Sequence, residues 1–374
     1  MCAESDRRCT GVRARKETKT TFTLCLKKLR NAPYPTRGLP FFIILFTLCG
    51  CENQPAPVKP AQNPDKPGEC TMTRMATLRV FTSWGPPIVQ VSINGKPAAM
   101  ALSTGAETST ISSAAAKEFG LEEGGDSTRV YGTTGPIDLP VARSNSLLVG
   151  RASASDFAFI EIEDRRHSSS APVPRIDNIP IVGELGADFL RSYEVQFDLP
   201  DGEITLARPR GCTVKDVRWD DSVSQVPVRV WPGGRPGVQI RLNGHKINAM
   251  LSSSSTTTTV TPEELSWDDI KSNMEAENHA EIVRGVNGTA VTAHRDRFDS
   301  LQIGNETFSP AWLTVSPMQI TDAVLGADFL RRRVFWLSVS QHMMYIEKEK
   351  INPFGAEHPR LLTSAEEPKA EPVK

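Results

Sequence analysis

Hydrophobic and polar positions alternate in short runs that end at turn signals, and two of these runs resemble each other closely. Val89–Gly95 and Val238–Gly244 both place apolar residues at every second position and then end in Asn-Gly. This period of two predicts a half-buried strand, and Asn-Gly favours a tight hairpin turn because it tolerates positive φ. A second strand, Ala98–Leu102 or Ile247–Leu251, completes a predicted hairpin in each copy.

The similarity between the two copies continues along the chain. Ser113 is a candidate cap for an alanine-rich helix that stops at Gly120, and Thr261 with Glu264 forms a capping-box pattern before the second helix. Each copy ends in two further strand-like runs. Five blocks in the same order predict a duplicated β-rich unit with short helices. The matched blocks beyond the hairpins are Ser103–Ile111 with Ser252–Val260, Val130–Gly135 with Val283–Gly288, Ser146–Gly150 with Ser300–Gly304, and Leu185–Arg191 with Leu325–Arg331.

The repeat defines the domain organisation. We predict a first lobe over residues 72–210, a linker over 211–219 and a second lobe over 220–350. The polar tail, 351–374, is predicted to be disordered. Residues 164–177 are typical of a mobile surface loop, and Trp231–Gly237 of a turn that widens the first hairpin of the second lobe. Either segment is a candidate partner contact or a loop that contacts only water.

Charge is distributed unevenly along the chain. The 374 residues hold 43 Lys and Arg against 44 Asp and Glu, for a formal net charge of -1. Residues 1–50 contain ten of the basic residues and only three of the acidic ones, so the remainder is acidic. An acidic body gives no electrostatic reason to expect nucleic acid as a partner.

The basic N-terminal segment leads into an apolar run, Phe41–Leu48. It is too short to span a bilayer, which needs roughly 20 residues as a helix, and it suits the apolar part of a signal peptide over residues 1–50. Leu48-Cys49-Gly50-Cys51 resembles a bacterial lipobox, which implies diacylglycerol on Cys51, export, and anchoring to the bacterial cell envelope as a lipoprotein. Residues 51–71 then form a Pro-rich tether. The alternative is an uncleaved, buried apolar segment.

Two cysteines remain once this N-terminal segment and Cys51 are set aside. Cys70 and Cys212 stand just before and just after the first lobe, and we predict a disulfide that closes its ends. The alternative is a pair of free thiols. No Cys/His cluster has the spacing of a zinc site, so neither a metal nor another cofactor is expected.

The order of hairpin, loop, Gly-containing strand and Leu-Gly-Ala-Asp-Phe-Leu block resembles the retropepsin-like aspartic peptidases over residues 76–348. The resemblance implies an all-β fold with short helices, built as two tandem retropepsin- or pepsin-like β-barrel lobes. In that family each lobe contributes one Asp to a dyad that shares a proton and activates water. Leu102–Ala106 looks like the active-site loop of the family.

The chain departs from the family at both catalytic positions. The family's Asp-Thr/Ser-Gly is replaced by Ser103-Thr104-Gly105 in the first lobe and by Ser252-Ser253-Ser254 in the second. A serine hydroxyl does not ionise near neutral pH, so it can neither act as general base nor hold the shared proton. We therefore expect vestigial active-site loops and no catalytic residue. A nucleophilic serine would need a nearby base, and His245, the only His near a loop in sequence, lies at the turn end of its hairpin.

Three other acids and one aromatic residue are candidate contributors to a site. Asp188 and Asp328 each precede a short helix, where a carboxylate is expected to satisfy free backbone N–H groups. Glu107 is the carboxylate nearest in sequence to Ser103. Tyr131 stands where the family carries a flap residue, so it either lines the cleft or is an ordinary strand aromatic.

Three functions stay open from the sequence. The first is an inactive, envelope-anchored protein that binds an extended peptide or protein segment between its lobes. The second is an active aspartic endopeptidase that uses unidentified acids, and the third is a structural or assembly protein of the envelope. A binder should keep an open groove with free edge groups, whereas a scaffold should have it collapsed.

Overall fold

A computed structural model describes residues 70–83, 85–163, 173–212, 223–267, 270, 281–284, 287–348 and 352–355. The signal peptide, Cys51 and nearly all of the tether lie outside this range, as do most of the linker, most of the loop at 164–177, and the tail after residue 355. Within the described part of the chain, no helix is long and apolar enough to cross a membrane.

The first lobe is built from eleven strands and two short helices. In chain order these are β1 (Thr71–Arg79), β2 (Ile88–Ile93), β3 (Lys96–Leu102), β4 (Thr110–Ser112), α1 (Ser113–Phe119), β5 (Glu122–Gly132), β6 (Gly135–Val149), β7 (Ala152–Ile162), β8 (Arg175–Ile176), β9 (Ile179–Leu185), α2 (Ala187–Leu190), β10 (Glu194–Asp198) and β11 (Glu203–Arg210).

The second lobe repeats most of this order. Its elements are β12 (Val223–Val230), a 3-10 turn (Pro232–Gly234), β13 (Pro236–Leu242), β14 (His245–Leu251), β15 (Thr259–Val260), α3 (Pro262–Trp267), β16 (Glu281–Arg284), β17 (Ala290–Phe298), β18 (Leu301–Ile303), β19 (Glu306–Phe308), β20 (Ala311–Val315), β21 (Ala323–Leu325), α4 (Ala327–Leu330), β22 (Val334–Ser338) and β23 (Met343–Glu347).

The two lobes have the same strand topology. The first runs β2-β3-β9-β4-β7-β6-β5 and closes through a second pairing of β2 with β6. The second runs β13-β14-β21-β15-β20-β17-β16, with β18 against β13. Alternation turns Val89, Val91 and Ile93 into the core of the first lobe, where each is at most 4% exposed. The predicted all-β architecture of two tandem barrel-like lobes is confirmed.

A six-stranded antiparallel sheet joins the lobes. Its order is β1-β11-β10-β22-β23-β12, so three strands come from each lobe. Gln196 pairs with Trp336, its counterpart in the repeat, which places the symmetry axis of the duplication between them. Beside them the buried rings of Phe197 and Phe335 stack with centroids 4.5 Å apart. The lobes therefore share a continuous apolar seam.

The lobe ends are fixed by local contacts. Cys70 and Cys212 form a disulfide, as predicted, at the start of β1 and just past the end of β11. The cap of α1 is Ser112, whose Oγ accepts a hydrogen bond from Ala115 N, so the cap lies one residue before the predicted Ser113. Residues 352–355, assigned to the tail by sequence, contact the second lobe, and Phe354 there is 1% exposed.

Candidate functional site

The two loops, residues 103–105 and 252–254, meet where β3 and β14 end, and their backbones are held by crossed hydrogen bonds. Thr104 Oγ1 donates to Leu251 O at 2.8 Å, and Ser253 Oγ donates to Leu102 O at 2.6 Å. The same two hydroxyls accept from each other's backbone, with Ser253 N to Thr104 Oγ1 at 3.0 Å and Thr104 N to Ser253 Oγ at 3.1 Å. Both side chains are buried. Thr104 and Ser253 thus lock the lobes together at the site.

The first of the two serines at the catalytic positions bonds across the lobe interface. Ser103 Oγ and Ser254 Oγ share a hydrogen bond of 2.7 Å, and Ser103 Oγ also accepts from Ala106 N at 3.3 Å. Ser103 is 1% exposed. Ser254 stands where the repeat would place glycine, so its hydroxyl adds a contact with Ser103 of the opposite loop.

The second serine is packed against the glycine of the opposite loop. A Cβ on Gly105 would lie 2.6 Å from Ser252 Oγ, so this position tolerates no side chain without movement of the loops. Ser252 Oγ accepts from Ser255 N at 3.2 Å and bonds Ser255 Oγ at 2.9 Å. Glycine is needed at 105 for this close approach, whereas the second loop accommodates serine at 254.

Asp188 and Asp328 anchor the site from behind rather than facing it. Asp188 accepts from Ser109 N at 2.8 Å, Ser109 Oγ at 2.7 Å and Phe189 N at 2.9 Å. Asp328 repeats this pattern with Thr258 N and Oγ1, both at 2.7 Å, and Phe329 N. Burial raises the pKa of the Asp328 carboxyl, against the effect of these hydrogen bonds. The expectation that these residues precede and cap their helices is wrong in detail, since each is the second residue of its helix and the N-cap is a glycine. Their role is structural all the same, because each carboxylate binds both its helix and a residue beyond the loop.

Glu107 points away from Ser103 and toward the second lobe. Its carboxylate pairs with Arg235 at 3.3 Å and lies against Gly233 in the 3-10 turn. A matching contact on the other side comes from Arg331, at the end of α4. Its guanidinium donates to Thr82 O at 2.6 Å and, through Nε, to Gly85 O at 2.9 Å. We call the loop that holds Thr82 and Gly85 the entrance loop of the first lobe, and the turn at residues 231–235 the entrance loop of the second. Each of the two contacts therefore clasps one lobe to the entrance loop of the other.

The hairpins that follow each loop form flaps that touch at their tips. We call β5 with the start of β6 the first flap, and β16 with the start of β17 the second. Gln319 N donates to Thr133 O at 2.8 Å, and Asn287 Nδ2 donates to Thr134 O at 3.0 Å. Thr134 Oγ1 also donates to Asn287 Oδ1. Tyr131 lies beside this tip with 61% of its surface exposed.

The other chemistry considered from sequence is not assembled at the loops. His245 opens β14 at the hairpin turn opposite Leu242, in an exposed position. Among the described residues, no group of three or more His, Cys, Asp and Glu side chains is arranged to hold a metal ion. The loops therefore present hydroxyls and backbone groups, which can donate and accept hydrogen bonds but cannot supply a general base at neutral pH.

Sequence reasoning named all six loop residues but assigned them no partners. The crossed bonds of Thr104 and Ser253 and the pairing of Ser103 with Ser254 join residues about 150 positions apart, which no local pattern reveals. Arg331 was missed as a clasp. The one available signal was that the repeat block ends in Arg in both copies, at Arg191 and Arg331.

The structure is that of a two-lobed protein of the aspartic-peptidase class. It has two equivalent lobes, a shared antiparallel sheet, paired loops held by crossed hydroxyl bonds, and opposed flaps. Comparison with protein families agrees. A model described as aspartyl protease matches residues 89–189, and one described as gag-polyprotein putative aspartyl protease matches residues 238–332. The chain belongs to the retropepsin-like aspartic peptidases, as a tandem pair of their domains. A search of curated proteins gives no match.

Proposed function

We propose that this chain is a catalytically inactive member of its family, anchored to the bacterial cell envelope as a lipoprotein through Cys51, that binds an extended peptide or protein segment. The proposal has three separable parts, namely inactivity, peptide binding and the lipid anchor. Each part has its own support and its own test.

Inactivity is supported by the chemistry of the loops. Ser103 and Ser252 take the places of the two family aspartates, and each hydroxyl is already hydrogen-bonded within the site. The three acids considered as candidates have other partners, because Glu107 pairs with Arg235 while Asp188 and Asp328 hold the loop ends. An active peptidase would need a carboxylate that none of these three supplies in this arrangement.

The observation that carries peptide binding is the pair of flap edges. β5 and β16 are the last strands of their sheets, so each presents unpaired backbone groups to an added strand. Among the described residues, the exposed large apolar side chains include Tyr131 on β5 and Ile282 and Val283 on β16, at 61%, 72% and 45%. Backbone pairing along the flaps combined with apolar side-chain contacts is the chemistry that recognises an extended peptide.

The cleavage test uses the purified full-length chain and a mixed peptide library from about pH 3 to pH 7, read by mass spectrometry. A triple variant, Ser103→Asp, Ser252→Asp and Ser254→Gly, runs beside it because it restores the family's loop sequence. We expect no cleavage by the natural chain. Specific cleavage that an aspartic-peptidase inhibitor stops would refute inactivity.

The binding test selects peptides from a random linear library on the full-length chain and measures their affinity for variants. Tyr131→Ser combined with Ile282→Ser and Val283→Ser should weaken binding about tenfold or more, since apolar anchors dominate such interfaces. Leu148→Ser is the matched control, because Leu148 is also exposed but lies at the far end of β6. Equal losses in both variants would contradict recognition by the flaps.

The closed flap tips favour a second candidate, a structural or assembly protein of the envelope. The bonds between Thr134 and Asn287 span the space between the flaps, and Thr133 bonds to Gln319 in the loop after β20. Asn287→Ala removes two of these bonds and separates the candidates. Peptide capture that rises in this variant indicates a gated binder, whereas no capture by either form favours the assembly role.

The anchor is supported by the lipobox-like sequence and the polar tether that follows it. In bacteria that express the full-length gene, we expect the chain in the membrane fraction and Cys51→Ala in the soluble fraction. Metabolic labelling with a fatty acid should mark the natural chain and not the variant. Label retained by Cys51→Ala would rule out this site of attachment.

A further inference from the structure

A cavity of about 470 Å³ opens on the outer face of the second lobe, away from the vestigial loops. The cavity lies where β12 changes its pairing partner. Up to Pro227 this strand pairs with β23, and from Val228 onward it pairs with β13. The strands diverge at this point, so the wedge between them is not filled by a neighbouring strand. The volume is in the range of small-molecule sites, about 300–1,000 Å³.

The lining combines an apolar part, made by valine, proline and glycine residues of β12, β13 and the turn after β18, with two cationic side chains, three amides and one aromatic ring. Arg229 and Arg241 contribute the charge, and none of the lining residues is acidic. Trp231 forms a wall. The amide side chains are those of Gln239, Asn248 and Gln302. Gln239 and Asn248 are directly opposed across β13 and β14, and Gln302 is opposed to Arg241 across β18 and β13, so these polar groups lie side by side on one face.

Gly237 makes room for the aromatic wall. A Cβ at this position would lie 3.0 Å from Cζ2 of the Trp231 ring, so the ring rests directly on the glycine backbone. The backbone that carries the ring is fixed, since Trp231 N donates to Arg235 O at 2.9 Å and closes the turn. Trp231 is only partly buried, which leaves ring surface to face the cavity.

The first lobe provides an internal comparison. The inward positions of the two hairpins keep the same character, as with Val89 and Val238. The outward positions do not. Where the first lobe has Ile88, Ser92, Ala99 and Leu148, the second has Gly237, Arg241, Asn248 and Gln302. Ala99 is fully buried whereas Asn248 is partly exposed, so the face that is covered at this point in the first lobe is open in the second.

We infer that this cavity is a binding site for an acidic saccharide, independent of the space between the lobes. Arginine forks bind carboxylates through paired hydrogen bonds, and side-chain amides both donate to and accept from hydroxyl groups. An aromatic ring offers the apolar surface on which the C–H face of a sugar ring packs. The cavity holds only two cations, and the rest of the protein is acidic. A ligand with few, well-spaced carboxylates is therefore favoured over a densely charged polyanion, which the acidic surface would repel.

The test measures binding of galacturonate oligosaccharides to the full-length chain by titration calorimetry. Their fully methyl-esterified counterparts serve as neutral ligands of the same shape, and inorganic tripolyphosphate serves as a dense anion. We expect binding of the acid form only. The variant Arg229→Gln with Arg241→Gln should weaken it about tenfold or more, since each lost charge-assisted contact is strong.

Two further variants separate the site from a loss of folding. Gly237→Ala forces the ring of Trp231 to move and should also weaken binding, while Gln90→Ala, at the outward position of the first lobe that matches Gln239, should leave it unchanged. Absence of any heat with the acid oligosaccharides would overturn the inference. So would equal affinity for the esterified form, tighter binding of tripolyphosphate, or an affinity unchanged by the double arginine variant.

Discussion

At the scale of single residues, the site keeps the family's architecture while losing its charge. The serines at 103 and 252 lie where two carboxylates would meet, and a hydroxyl fills that place without the repulsion that forces a dyad to share a proton. Ser254 then bonds Ser103 across the interface. The loop pair, which in the family holds two like charges together, is here a neutral hydrogen-bonded junction.

The crossed bonds predict that Thr104 matters for stability rather than for chemistry. Thr104→Val keeps the shape but leaves Leu251 O and Ser253 N without a buried partner, and each such group costs about 1–3 kcal/mol. We therefore expect the free energy of unfolding to fall by about 2–4 kcal/mol in urea denaturation. Thr77→Val, on the exposed side of β1, is the matched control and should change it by less than about 0.5 kcal/mol. An equal fall in the free energy of unfolding in both variants would contradict a stabilising role for the crossed hydrogen bonds of Thr104.

At the scale of elements, α2 and α4 show how a four-residue helix is held in place. Helices this short have no stability of their own, because forming the first turn is unfavourable. Asp188 and Asp328 compensate by accepting hydrogen bonds from the helix itself and from Ser109 or Thr258, which lie 79 and 70 residues earlier, just after the paired loops. Each helix therefore serves as the support on which its loop rests.

This arrangement predicts a specific response to Asp188→Asn. The amide presents N–H groups toward Ser109 N or Ser109 Oγ, so at least one strong hydrogen bond is lost, and bonds to a charged group contribute about 1.5–3 kcal/mol. We expect a loss of about 2–3 kcal/mol of unfolding free energy, measured by urea denaturation. Asp201→Asn, in the exposed turn after β10, should be silent. An unchanged free energy of unfolding in Asp188→Asn would contradict the proposed role of Asp188 in holding α2 and its loop.

The elements that the sequence predicted well are those with local signals. Both Asn-Gly hairpins, the strand pairs that close each copy and the capping of α3 by Thr261 follow from neighbours within a few residues. The choice of Ser112 over Ser113 as the cap of α1 did not follow, because two adjacent serines offer the same side chain and only the backbone angles decide. The partners of Thr104 and Arg331 lie far along the chain, beyond any local pattern.

At the scale of the whole molecule, three independent connections make one body of the two lobes. The first is the six-stranded sheet with the stacked rings of Phe197 and Phe335. The second is the set of crossed hydrogen bonds between the paired loops, and the third is the contact of each lobe with the entrance loop of the other. The Cys70–Cys212 disulfide acts on the first lobe alone, since it joins the start of β1 to the end of β11. Reduction of this disulfide should therefore destabilise the ends of the first lobe before it weakens the contacts that join the two lobes.

Arg331 is the connection most open to a direct test. Burial lowers its pKa to about 10, so at neutral pH it stays charged and its bonds to Thr82 and Gly85 are charge-assisted. Arg331→Met keeps the aliphatic stem but strands these carbonyl groups, and we expect a loss of about 2–4 kcal/mol of unfolding free energy. Arg332→Met, one residue on and exposed, is the matched control.

The location of the change distinguishes a clasp from a merely stabilising side chain. Amide hydrogen exchange should accelerate in Arg331→Met at Phe81 and Ile88, whose N–H groups bond across the entrance loop of the first lobe, although the altered residue belongs to the second lobe. Exchange in β22 and β23 of its own lobe should change little, because the sheet keeps its pairing. If exchange instead rises only around α4, the contact with Thr82 and Gly85 contributes nothing to coupling, and the lobes are held by the sheet and the crossed loops alone.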